Sequence, residues 1–134
     1  MSVSSVLAAT TVNDRMSAVI DDTHLARMTL GDRRLEREVL ELFVRQTTIM
    51  LGRIVGAQPA MAAAAAHTLK GSARGIGAWR VARAAELVEN AASGEGAESA
   101  MDDAVTELKS ASLEASAAIG SRLTGLLAEL ARPR

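Results

Sequence analysis

Cysteine and tyrosine are absent from this 134-residue chain, and phenylalanine and tryptophan occur once each, as Phe43 and Trp79. Without cysteine there is no disulfide and no thiolate metal site. The scarcity of aromatics removes residues that strands favour, whereas alanine and leucine, abundant here, are strong helix formers. Proline is confined to Pro59 and Pro133, so little interrupts a helix. No run approaches the ~20 consecutive apolar residues of a membrane-spanning helix. Charge of one sign is also missing: the net charge of −1 argues against bulk attraction to nucleic acid or an anionic membrane. The chain's start has neither the basic stretch nor the long apolar run of a secretory signal, so a cytoplasmic location is expected. His24 and His67 lie far apart and show no ligand spacing, so no metal site is expected.

What remains is a chain with 49% hydrophobic residues, much of it alanine. The length suits one domain with a single core. Residues 1–13 read as a flexible N-terminal arm, and residues 14–134 as one helical unit. A short amphipathic segment is expected over 14–30, ended by Gly31, with Asp32 as N-cap of the next helix. From there Leu35, Val39, Leu42, Phe43, Ile49, Met50 and Ile54 recur at helical spacing. Gly56 stops that helix, and Pro59 suits the first turn of a third. Gly77 ends the third, and a fourth begins near Ala78 with Val81, Ala84, Ala85 and Val88 on one stripe. After a turn at Ser93-Gly94-Glu95-Gly96, a last helix carries Met101, Val105, Leu108, Ala115, Ile119, Leu123 and Leu126, with Gly120 and Gly125 as points of bending or division. Long amphipathic helices joined by short turns pack antiparallel.

The third helix has one informative face. With His67 as zero and about 100° per residue, Ala65, Leu69, Ala73 and Ile76 cluster at about 160–240°. His67, Lys70, Gly71 and Arg74 fall within about 60° of zero, on the opposite side. An outward imidazole is nucleophilic when neutral, and its reference pKa of about 6.5 makes that form available at physiological pH. Lys70 and Arg74 favour that neutral form and can meet phosphoryl oxygens. Gly71 costs about 1 kcal/mol inside a helix relative to alanine, but it leaves bare backbone that a partner can approach. A lone surface histidine on a helix usually does nothing; four features on one face weigh against that reading.

The stretch His67-Thr68-Leu69-Lys70-Gly71-Ser72-Ala73, with Gly77 ten positions after the histidine, resembles the signature of histidine phosphotransfer (HPt) domains. The resemblance runs over about residues 20–119. It includes Asp32, Leu35 and Leu42-Phe43 upstream and Glu86-Leu87-Val88-Glu89 downstream. It implies an all-α fold, an antiparallel four-helix bundle, here with an additional short N-terminal helix. It also implies that His67 is a phosphoacceptor, relaying a phosphoryl group between receiver-domain aspartates in a two-component phosphorelay. Lys70 would stabilise phosphoryl charge and Gly71 would belong to the same active face. Many family members place a polar residue of the next helix against the histidine ring, and Glu89 stands at the matching position. The implied partners are response-regulator receiver domains and a hybrid histidine kinase, with Mg²⁺ on the receiver and no cofactor on this chain. The chain is then a monomeric phosphocarrier without kinase activity.

Three other readings compete with this one. The run Gly71-Ser72-Ala73-Arg74-Gly75-Ile76-Gly77 matches the glycine-rich loop of short-chain dehydrogenases, but that loop follows a strand, and the enzymes use a tyrosine. Here a helical alanine run precedes it and no tyrosine exists. Nucleic-acid binding is suggested by Lys70, Arg74, Arg80 and Arg83 with Trp79, yet a single tryptophan makes a poor stacking platform. A helical binding module or inhibitor of a receiver or kinase, without chemistry, is the remaining alternative.

Overall fold

A computed structural model describes residues 18–94 and 98–133. The expected arm over 1–13, the start of the 14–30 segment and part of the Ser93–Gly96 turn lie outside the described residues. Within them five helices and no strand are present: α1 (Asp22–Met28), α2 (Arg33–Ile54), α3 (Pro59–Ile76), α4 (Trp79–Ser93) and α5 (Glu98–Leu130). No helix among them is long and apolar enough to cross a membrane.

Local chemistry sets the boundaries. Asp21 caps α1 by accepting from the His24 amide, and Asp32 caps α2 by accepting from the amides of Arg34 and Leu35. Pro59 occupies the first turn of α3. Gly77 closes α3 in a left-handed conformation, φ 81°, with the Ala78 amide donating back to the Ala73 carbonyl at 2.8 Å. The segment expected to be amphipathic over 14–30 is helical only from Asp22. Ile20 is buried ahead of it in non-helical backbone, because the Asp21 cap sets the helix start. Gly120 and Gly125 do not divide α5, which runs unbroken for 33 residues.

Helices α2 to α5 close a four-membered ring, each packed on two neighbours, while α1 lies against α3. The core is built mostly of alanine with a few large residues: Leu40, Phe43, Leu69, Leu108 and Ile119 fill the centre. The α2 stripe divides. Leu40, Phe43, Met50 and Ile54 are buried, whereas Leu35, Leu42 and Ile49 remain exposed at 37%, 50% and 51%. The second half of α5 is fastened by charge. Arg122 bonds the buried Glu36 of α2 at 2.9 and 3.1 Å and also pairs with Asp22 of α1.

A second clamp joins α1 to the α3–α4 junction. The Asp21 amide donates to the Gly77 carbonyl at 3.0 Å, and the Trp79 indole donates to the Asp21 carboxylate at 3.0 Å. His24 donates from Nε2 to the Arg74 carbonyl at 2.8 Å, and its ring lies 4.9 Å from that of Trp79. A Cβ at Gly77 would meet the Asp21 Cβ at 2.8 Å.

Gly77→Ala combines that clash with a left-handed alanine, which alone costs about 1–2 kcal/mol. The urea midpoint should fall accordingly; an unchanged midpoint contradicts the clamp. The hydrogen bond from Trp79, then that from the His24 amide, hold the Asp21 carboxyl below the ordinary aspartate range, against a smaller opposing effect of burial. A depressed folded value means the stabilisation exists above the ordinary value and is lost as pH falls through the lower one. Emission from Trp79 should therefore change with an acidic midpoint below the ordinary aspartate range, and Asp21→Asn should lack that transition.

Candidate functional site

The rotation of α3 is fixed by its buried side. Ala66, Leu69 and Ala73 are fully buried, which leaves His67 facing solvent with its side chain 71% exposed. On α4, the burial of Ala85 and Val88 turns Glu89 toward α3. The two helices meet through alanines, so a short glutamate reaches the imidazole. Glu89 Oε2 lies 3.0 Å from His67 Nδ1, and Glu89 Oε1 lies 2.6 Å from Lys70 Nζ. The ammonium approaches that oxygen away from ideal hydrogen-bond directions, so charge holds the contact more than directed bonding does. Lys70 is mostly covered, its stem lying in the seam.

Burial pushes the Glu89 carboxyl up, but its contacts with Lys70 and His67 outweigh it and hold the group below the ordinary glutamate range. An ionised carboxylate only accepts, so His67 Nδ1 must carry the proton. The lone pair of the neutral ring then sits on Nε2, which has no hydrogen-bond partner among the described residues. A fixed tautomer with a free, outward nitrogen is what a nucleophilic imidazole requires.

Of the residues singled out in the sequence, His67, Lys70 and Glu89 meet in one cluster. Arg74 shares the face but stands two turns away, in a loose 3.9 Å pair with Glu86. Gly71 lies on the same face, and a Cβ added there, or at Gly75, meets nothing within 4 Å. Helix packing does not require glycine at either position. The basic run from Lys70 to Arg83 is largely neutralised by acids from other segments: Lys70 by Glu89, Arg74 by Glu86, and Arg80 by Glu107 and Glu114. Trp79 is committed to Asp21 and His24. Neither arrangement suits a nucleic-acid surface. The glycine-rich run Gly71–Gly77 belongs to α3 and its cap, with no strand before it.

Sequence reading missed the α2 edge. Ser72 Oγ donates to Gln46 Oε1 at 2.7 Å, which ties α3 to α2. Leu42 and Ile49 lie within about 60° of Gln46 around α2, on the side away from its buried row. They therefore border the outer side of the α2–α3 seam, and antiparallel running brings Ile49 level with the turn that carries His67. The signal was an apolar arc on α2 wider than a single core stripe needs.

A helical bundle that presents one solvent-facing histidine, tied by one nitrogen and free at the other, has the form of a phosphotransfer module. The family model for the Hpt domain matches residues 38–132, which takes in most of α2 and all of α3, α4 and α5. The chain belongs to the Hpt domain family, a family of phosphotransfer modules. No curated protein and no solved structure matches it.

The tautomer can be read directly. Nitrogen-15 spectra of the imidazole should place the proton on Nδ1 in the wild type. In Glu89→Ala the ring should revert toward the Nε2–H form favoured by free histidine. Persistence of the Nδ1–H form in that variant would show that Glu89 does not hold the proton.

Proposed function

We propose that the protein relays a phosphoryl group between receiver-domain aspartates in a two-component phosphorelay, with His67 as phosphoacceptor. The observation that carries this reading is the exposed imidazole whose Nδ1 is held by Glu89 while Nε2 is left free. In the forward step the Nε2 lone pair attacks the phosphorus of an aspartyl phosphate in line. The N–P bond forms, the P–O bond to the aspartate breaks, and the electron pair leaves with the carboxylate. The onward step is the reverse, with the carboxylate of a second receiver as nucleophile. Phosphoryl transfer depends on positioning and charge stabilisation more than on covalent help from the protein.

Lys70, which shares the Glu89 carboxylate with His67, meets phosphoryl charge. Arg74 sits along the same face as a docking contact, and Gly71 leaves room for the partner's backbone. The exposed Leu42 and Ile49 supply apolar area beside the histidine, suited to a receiver surface. The receiver brings the Mg²⁺, and a hybrid kinase supplies the phosphate at the head of the chain. The protein is thus a cytoplasmic carrier without kinase chemistry of its own.

A receiver domain carrying ³²P-aspartyl phosphate should transfer acid-labile label to the wild type and none to His67→Ala. Undiminished labelling of that variant removes His67 as acceptor. Ile49→Glu should slow transfer by about tenfold or more, the loss expected for about 1.4 kcal/mol of docking energy, with helix content unchanged. Stable binding of receivers without any label transfer would instead mark a non-catalytic binding module.

A further inference from the structure

We propose that Glu89 also sets the lifetime of the phosphorylated histidine, keeping the carrier poised to give its phosphoryl group away; this rests on His67 being the acceptor. The argument follows the Nδ1 proton. The neutral ring with hydrogen on Nδ1 attacks through Nε2 and becomes an N-phosphoryl imidazolium, with one positive charge on the ring. In that state Nε2–P cleavage returns the electron pair to Nε2 and releases neutral imidazole. If Nδ1 first loses its proton, the leaving group is an imidazolide anion, and cleavage is far slower. The charge at Nδ1 therefore decides how readily the phosphoryl group leaves.

Glu89 Oε2, 3.0 Å from Nδ1, pairs its negative charge with the cationic phosphorylated ring. An opposite charge at that distance favours the charged form of its partner. A neutral amide in the same place would accept the hydrogen bond without balancing the charge. Glu89 also acts in the same sense through Lys70. Its ammonium is held 2.6 Å from Glu89 Oε1 with the side chain only 14% exposed, so the phosphoryl group must compete with Glu89 for it. Removing the carboxylate charge would free Lys70 to hold the phosphoryl oxygens more firmly. Both consequences lengthen the life of the phosphohistidine.

The other charges around the ring do not replace this pair. On α3 itself, Arg74 is two turns away and engaged with Glu86 of α4. On the α2 side, Gln46 and Ile49 are uncharged, and Arg53 stands one turn further along, exposed. A cation there disfavours ring protonation and cannot hold the Nδ1 proton. Among the described residues the seam thus places a single carboxylate, Glu89, against the ring, and it is a positioning residue that acts through the imidazole.

The test needs no partner protein. The full chain and Glu89→Gln are phosphorylated with phosphoramidate, freed of reagent, and followed by ³¹P NMR between pH 6 and 9. Phosphohistidine in Glu89→Gln should outlive that of the wild type. The pH at which its hydrolysis slows should move downward. One unit of movement corresponds to about a tenfold longer lifetime on the alkaline side. Circular dichroism should be unchanged, and a merely structural role would not shift the pH profile. Superimposable profiles, or a shorter lifetime in the variant, would overturn the proposal while leaving the relay intact. Normal profiles with no transfer from any receiver would defeat the relay and leave this inference standing. Failure of the wild type to form phosphohistidine at His67 would overturn both.

Discussion

Alanine fills the seam between α3 and α4, and the rest of the candidate site depends on that close packing. Ala66 and Ala73 on α3 are buried, as are Ala82 and Ala85 on α4. Side chains this short let two helix backbones approach closely, and close packing resists rotation of either helix about its axis. Rotation of α3 decides whether His67 faces water. Rotation of α4 decides whether Glu89 reaches it. The Lys70 stem is covered by the same contact, which brings its ammonium to the carboxylate rather than to bulk solvent.

That seam ends at Gly77, where a left-handed backbone and the contact with Asp21 favour glycine, and the turn is pinned from outside. Asp21, His24 and Trp79 tie α1 to the carbonyls of Gly77 and Arg74. Asp22 continues from α1 to Arg122 on α5, which also satisfies the buried Glu36 of α2. A buried carboxylate is tolerable only when paired and hydrogen-bonded, and Glu36 has Arg33 and Arg122. The short first helix thereby links the α3–α4 junction to α5 and α2. The second half of α5 has its role in this fastening, with Ile119 and Leu126 buried beside it.

Against this framework the exposed face is permissive. Gly71 and Gly75 have open space where a side chain could be, and the α2 edge offers Leu42 and Ile49 to solvent. A packed scaffold carrying an uncluttered histidine is the arrangement that the proposed relay requires. The face is also nearly balanced in charge, because Glu89 and Glu86 answer Lys70 and Arg74. A partner therefore meets shape and apolar area at least as much as net charge.

Helix number and order, the caps at Asp32 and Gly77 and the outward direction of His67 and Gly71 were all legible in the sequence, whereas Lys70, placed on the same outward face by spacing, is drawn into the α3–α4 seam by Glu89. Each rests on local spacing, on backbone preference or on a repeat of 3.6 residues, and these act within one helix. Three features were not legible, because each depends on how one helix is set against another. Leu42 and Ile49 share the helical spacing of Phe43 and Met50, but only the position of α3 and α5 around α2 decides which row is covered. Gly120 and Gly125 lower the helix propensity of α5, yet the contacts of Ile119, Arg122 and Leu126 with the rest of the bundle carry it through. Glu89 could be matched to the histidine by family pattern. That one carboxylate takes His67 and Lys70 together, and so fixes which nitrogen of His67 is free, was decided by the register of α4 on α3.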